Sequence, residues 1–209
     1  STIFNILSTY QSTGYLVKLS SNKYRLSNKV LYLGYVVSSS MNLQQHFMPH
    51  LKEIANETGE VCYLGLLDAH EVLYLEAVYP TSQVQTRIIL GERAPLYCTG
   101  LGKAMLAHLP EAEISDVLSQ PMHSFTKCTL TDAEVLQAEL AEVRSNGFAV
   151  DNMEHEFGIR CVAVPFFGAN GSVLGAVSIS GPSLRFDPKT ILRNAGIIEQ
   201  HIQSLQYCF

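Results

Sequence analysis

Apart from one short hairpin, apolar residues recur at helical spacing through the first sixty positions, and a run of strand spacing begins after them. Ile3, Ile6, Leu7 and Tyr10 mark a helix over residues 1–13, with Ser1 placed to cap it and Gly14 to end it. YLVKL and YRLS flank the polar turn SSNK and predict a short hairpin. Ser27 is a cap for a helix NKVLYLGYVVSSS. Asn42 is a cap for LQQHFMPHLKEIANETG, with Gln45 at the third position and Gly59 at the end. Pro49 predicts a kink or restart inside that helix.

From Glu60 the pattern changes. EVCYLGLLD, the turn DAHE and EVLYLEAVY predict a hairpin, and VQTRIIL a third strand. A helix ending near Leu109 and a second at EAEISDVLSQ follow. Thr131 and Glu134 read as a capping box for a helix to Asn146, closed by Gly147. FAVD, IRCVAVPFF and SVLGAVSIS are three more strands, the last two joined by GANG. Asp187 and Pro188 start a final helix running to about Gln206. Runs of strands beside runs of helices predict an α+β domain with a mostly antiparallel sheet. The opening helix and hairpin read as half of a winged helix-turn-helix.

Composition sharpens this picture. With 47% hydrophobic and 16% charged residues in 209, the chain can bury a sizeable core. No apolar run approaches the ~18–20 residues that span a bilayer. The start has no charged leader or apolar signal block, so a soluble, cytoplasmic protein is expected. The chain opens on Ser1 rather than Met, as a piece of a longer one would. Five cysteines without a CxxC argue against a disulfide framework and a zinc knuckle. The net charge of −5 is divided unevenly. Residues 1–52 carry Lys18, Lys23, Arg25, Lys29 and Lys52 and no acid, whereas the rest carries nine basic and nineteen acidic residues. A basic head on an acidic body suits a polyanion contact, although a Ser/Asn-rich stretch can be basic by chance.

Three motifs carry candidate chemistry. In PLYCTGLGKAMLAHLP, residues 95–110, a small turn runs into a helix. The N–H groups of Gly100, Leu101 and Gly102 are offered to an anion, unless Thr99 merely caps its own helix. The spacing is not that of a nucleotide P-loop, because Tyr97 stands where its first Gly belongs and Ala104 where Ser or Thr belongs. DNMEHEFGIRC, residues 151–161, gathers Asp151, Glu154, His155 and Glu156 before a strand holding Cys161. Solvated loop charges are the default there, and a metal at His155 or a Cys161–His155 nucleophile is the sharper alternative. In SISGP, Ser178 and Ser180 share one strand face, either as donors to a ligand or at a solvent-facing edge.

Together the motifs resemble the IclR-type bacterial transcriptional regulators. The resemblance runs through STIFNILSTYQSTGYLVKL…KYRLSNKVLYLG, PLYCTGLGKAMLAHL, GFAVDNMEHEFGIRCVAVPFF and GAVSISGPSLRF in that order. It implies an incomplete winged helix-turn-helix with the start of a linker helix over 1–35. A GAF-like effector-binding and oligomerisation domain would follow over 36–209. The family's DNA-binding domain begins about two helices earlier. Ser1, Thr2, Asn5, Lys23 and Arg25 are the implied DNA-contacting positions, Asn5 standing where the family often has Arg. Gly100 and Leu101 would hold a carboxylate, and Asp151, Cys161, Ser178 and Ser180 would complete the pocket. The implied partners are operator DNA, a small organic acid (a sugar acid or keto acid) and further copies of the chain. The implied activity is that of a repressor, with no enzyme chemistry, cofactor or metal. Two rival readings remain. One is a thiol-dependent enzyme using Cys98, Cys128 or Cys161, and the other is a sensor module acting on a protein partner.

Overall fold

A computed structural model describes residues 2–19, 23–33, 43–80 and 89–205. The chain divides into two compact units, Ser1–Gln44 and Gln45–Phe209.

The first unit opens with helix α1 (Thr2–Ser12). Gly14, at φ 81°, takes the left-handed conformation that ends it. Strands β1 (Leu16–Lys18) and β2 (Tyr24–Leu26) pair antiparallel with Leu16 opposite Leu26. A helical turn begins at residue 29, where Ser27 Oγ accepts the Lys29 N–H at 3.2 Å, the expected cap. The Lys29 ammonium reaches back to the Thr13 carbonyl at 2.8 Å and lies over the Tyr15 ring. Those contacts tie the helical turn after β2 to the link between α1 and β1. No residue of α1 is buried, and Ile3, Phe4, Ile6 and Tyr10 are exposed.

The second unit starts with α2 (Leu43–Thr58), which passes through Pro49 without a restart. Phe47, Leu51, Ile54 and Ala55 anchor one buried stripe, and Pro49 stands on the exposed side. There the carbonyl it leaves unpaired can face water, which softens the cost of a mid-helix proline. Strands β3 (Val61–Asp68) and β4 (Glu71–Val78) form the expected hairpin. The strand predicted at VQTRIIL lies mostly outside the described residues. The strand found beside β4 is β5 (Arg93–Pro95).

Helices α3 (Gly100–Leu106), α4 (Glu111–Ser119) and α5 (Ala133–Asn146) then cross over to the other end of the sheet. Asp132, not Thr131, caps α5, taking the N–H groups of Glu134 and Val135 on its carboxylate. A carboxylate is the better acceptor beside the positive end of a helix. Strands β6 (Ala149–Asn152), β7 (Ile159–Phe167) and β8 (Val173–Pro182) complete the sheet. A 3₁₀ turn at Ser183–Arg185 leads to α6 (Pro188–Leu205).

The sheet is antiparallel throughout, in the order β5-β4-β3-β8-β7-β6. Helix α3 packs on one face against β6, β7 and β8. Helices α2 and α6 cover the other, where Phe47 meets Phe166 with ring centroids 4.7 Å apart. Coverage of both faces explains why β7 and β8 read as near-continuous apolar runs. Among the described residues no helix is long and apolar enough to cross a membrane.

Candidate ligand-binding site

The antiparallel register assembles the site. Asp151 on β6 lies opposite Cys161 on β7, Cys161 opposite Ser180 on β8, and Ser180 opposite Val61 on β3. The next row on the same face is Ala149, Ala163, Ser178 and Tyr63. Directly opposed residues share a face, so residues far apart in sequence become a contiguous strip. Ser178 and Ser180 are not at a solvent-facing edge. They sit on the central strand β8, 2% and 8% exposed.

The first turn of α3 closes over this strip. A side-chain carbon at Gly100 would lie 3.4 Å from Cys161 Cβ and 3.5 Å from Ala163 Cβ, so backbone approaches sheet closely. Gly102 has even less room, since a Cβ there would come within 2.4 Å of the Leu96 carbonyl oxygen. Thr99 is the N-cap and accepts the Gly102 N–H at 3.0 Å. That corrects the expectation of three free donors, because the cap takes one. The Gly100 and Leu101 N–H groups, in the first turn, have no intrahelical acceptor.

A cavity of about 590 Å³ opens between strip and helix. Gly100, Leu101, Asp151, Cys161, Ser178 and Ser180 all line it. Sequence reasoning missed Tyr63, Tyr74 and Tyr79, which also line it. The period of two marks Tyr63 as facing opposite to Cys62, but only the pairing with Ser178 shows which face that is. Arg93 lines the wall too, already paired with Asp68 and with Glu71 at 3.2 Å.

The electrostatics of the strip are unusual. Asp151 is 4% exposed, and burial pushes its carboxyl up to about 7, although backbone N–H groups of Glu154 and His155 bond its anion. The Glu154 N–H donates to Asp151 Oδ1 at 2.7 Å. The Cys161 thiol donates to Ser180 Oγ at 3.0 Å. That contact uses an acceptor lone pair of the hydroxyl and leaves its proton for another acceptor. Burial holds the Cys161 thiol far above its usual range and the nearby Asp151 charge adds to it, while Cys98 rises to about 12, again chiefly by burial. Neither thiol is a ready thiolate nucleophile, which counts against the thiol-enzyme reading. His155 lines the cavity but joins no metal-ligand cluster among the described residues.

Below the strip, Lys103 of α3 is fully buried and paired with Glu139 of α5 and, at 2.5 Å, with Glu154. Burial lowers the affinity of this ammonium for its proton, but the two carboxylates more than restore it.

The remaining predicted positions lie in the first unit. Thr2 and Asn5 are exposed on α1, Arg25 is exposed on β2 and Lys23 just before it. Ser1 lies outside the described residues.

A curled antiparallel sheet with helices on both faces and a cavity under its α3 defines a GAF-like fold, here preceded by a helix and a short hairpin. The sequence model of the family described as "Bacterial transcriptional regulator IclR C-terminal" matches residues 35–206, and the chain belongs to that family. It is 35% identical to the HTH-type transcriptional regulator XynR of Escherichia coli (strain K12), over 90% of this chain and 75% of that protein. The crystal structure of Thermotoga maritima IclR superposes with a TM-score of 0.80 at 30% identity, covering 97% of this chain and 82% of that one. An IclR homolog from Microbacterium hydrocarbonoxydans, solved in complex with 4-hydroxybenzoate, superposes with a TM-score of 0.80 at 26% identity, covering 97% and 85%. These relatives are transcriptional regulators rather than enzymes.

Proposed function

We propose that the chain is a ligand-responsive repressor whose cavity senses a small organic acid. The observation that carries the reading is the convergence of two backbone N–H groups, two hydroxyls and a carboxyl on one cavity of about 590 Å³. The N–H groups of Gly100 and Leu101 receive the carboxylate, and Ser178 and Ser180 add donors. Asp151 would repel a second anion as a carboxylate, so it serves as a protonated donor or accepts from a ligand hydroxyl. That favours hydroxylated acids and hydrated keto acids, including sugar acids, over plain fatty acids. The 4-hydroxybenzoate bound by the Microbacterium homolog, with one carboxylate and one hydroxyl, supports the class.

In this reading residues 1–35 are the C-terminal part of the winged helix-turn-helix with the start of the linker, and 36–209 form the sensor. Thr2, Asn5, Lys23 and Arg25 face operator DNA, and the protein works in the cytoplasm as a dimer or tetramer. Acid binding favours one arrangement of the assembly and thereby changes the spacing of paired recognition helices. A thermal-shift screen with 4-hydroxybenzoate, gluconate, pyruvate and hexanoate tests the class. A ligand at a hundred times its Kd adds about 2.7 kcal/mol to stability. Stabilisation by hexanoate alone, or by none of the four, counts against the proposal.

A further inference from the structure

A second polar cluster lies on the sheet face away from the cavity. His50 and Glu53 stand one turn apart on α2, and His201 approaches them from α6. The Nδ1 atoms of His50 and His201 are 2.9 Å apart, with the rings nearly perpendicular at 77°. A Glu53 carboxylate oxygen is 3.8 Å from His201 Nδ1. One ligating atom from each of the three lies within 4.8 Å of the others.

We propose that this cluster is a binding site for a divalent ion of the zinc class. The donor set is two imidazoles and one carboxylate, the borderline ligands that zinc prefers. A tetrahedral ion with bonds of about 2.0–2.1 Å sets its ligand atoms about 3.3 Å apart. The two nitrogens, 2.9 Å apart, stand a few tenths of an ångström inside that spacing, and the carboxylate stands outside it, 3.8 Å from His201 and no more than 4.8 Å from either ring's ligating atom. The exposed Glu53 side chain has the freedom to turn toward an ion held by the two rings. A plain hydrogen bond between the rings would need one Nδ1 protonated, with Glu53 as an ion-pair partner of His201. A shared ion uses all three groups.

The surroundings suit an accessible ion. The His201 side chain is 18% exposed and that of Glu53 69%, so packing holds the rings while the carboxylate closes from solvent. One turn along, Arg193 of α6 lies 3.9 Å from Glu57 of α2, which sets the two helices antiparallel beside the cluster. An ion here clasps the first helix of the second unit to its last. The three protein ligands leave one position open for water or a fourth donor. The site is independent of the cavity reading, because none of its residues lines the cavity.

Calorimetric titration with Zn²⁺, paired with thermal melts, tests this on the full chain. The parent should bind one ion at this site and melt higher with it. His201→Gln and His50→Gln, on different helices, should each weaken that binding about tenfold or more, since even lost outer-shell partners cost that much. Both variants should melt like the parent when Zn²⁺ is absent. Cys161→Ser, in the cavity, should keep the zinc response. No zinc binding by the parent, or an equal response in the parent and both histidine variants, overturns the proposal.

Discussion

Lys103 and Asp151 are almost equally sealed from solvent, 0% and 4% exposed, and both lie against the first turns of α3 and the turn at residues 151–154. Lys103 has two carboxylates of opposite charge within bonding reach. Asp151 has backbone N–H groups and the more distant charge of Lys103, but among the described residues no cation is bonded to it. One cluster therefore holds its cation between two carboxylates and acts as a brace between α3, α5 and the turn. The other faces the cavity. A buried charge that is paired points to architecture; a polar strip beside an open volume points to a ligand.

The largest expected effect breaks the brace. Lys103→Met leaves Glu154, which is 2% exposed, without its cation. Removing one partner of a buried pair costs about 3–5 kcal/mol. Chemical denaturation should show a loss of that size. A loss under about 1 kcal/mol would mean that the pair is solvated and not a buried pair of this kind.

Next comes the cavity side. The Asp151 carboxyl is raised to about 7, so between the unfolded value near 4 and that point the native state binds the extra proton. Stability tied to Asp151 is thus highest at low pH and falls as pH rises through that window. Asp151→Asn should stabilise the chain at pH 8, by up to about 4 kcal/mol, and make little difference at pH 4. Melts of parent and variant across that range check the sign. A variant less stable than the parent at pH 8 would contradict it.

The smallest effect concerns ligand donors. Ser178→Ala should weaken binding of the acid identified by the screen by roughly 0.5–1.5 kcal/mol, with folding unchanged. Gly100→Val should weaken it further, because branched methyls would intrude where Cys161 and Ala163 already lie within 3.5 Å. Calorimetry on both variants ranks them, and equal affinities would remove α3 from the site.

How much of this the sequence discloses follows from the range of the interactions. The helix stops at Gly14, Gly59 and Gly147 and the start at Asp187 and Pro188 depend on near neighbours, and they are legible. The serine pair on β8 is legible as a pair, because alternation is local. Its burial is not, since it depends on β3 and β7 lying on either side. The strip from Asp151 to Val61 is set by register across four strands, which no local pattern encodes. Lys103 looks like an ordinary helix residue in GLGKAML until Glu139 and Glu154, from two other segments, are brought to it. The Asp132 cap is not legible, because Thr131 offers an equally good local signal one residue earlier.

The central claim is that the strip under α3 is where the acid binds, with Gly100 and Leu101 holding its carboxylate. Amide NMR of the chain titrated with the acid from the screen, at pH 6 and pH 8, tests it most directly. The account predicts that the Gly100 and Leu101 amide signals move first and farthest, and that binding is tighter at pH 6, where Asp151 is protonated. Shifts concentrated elsewhere, with those two amides still, would contradict it.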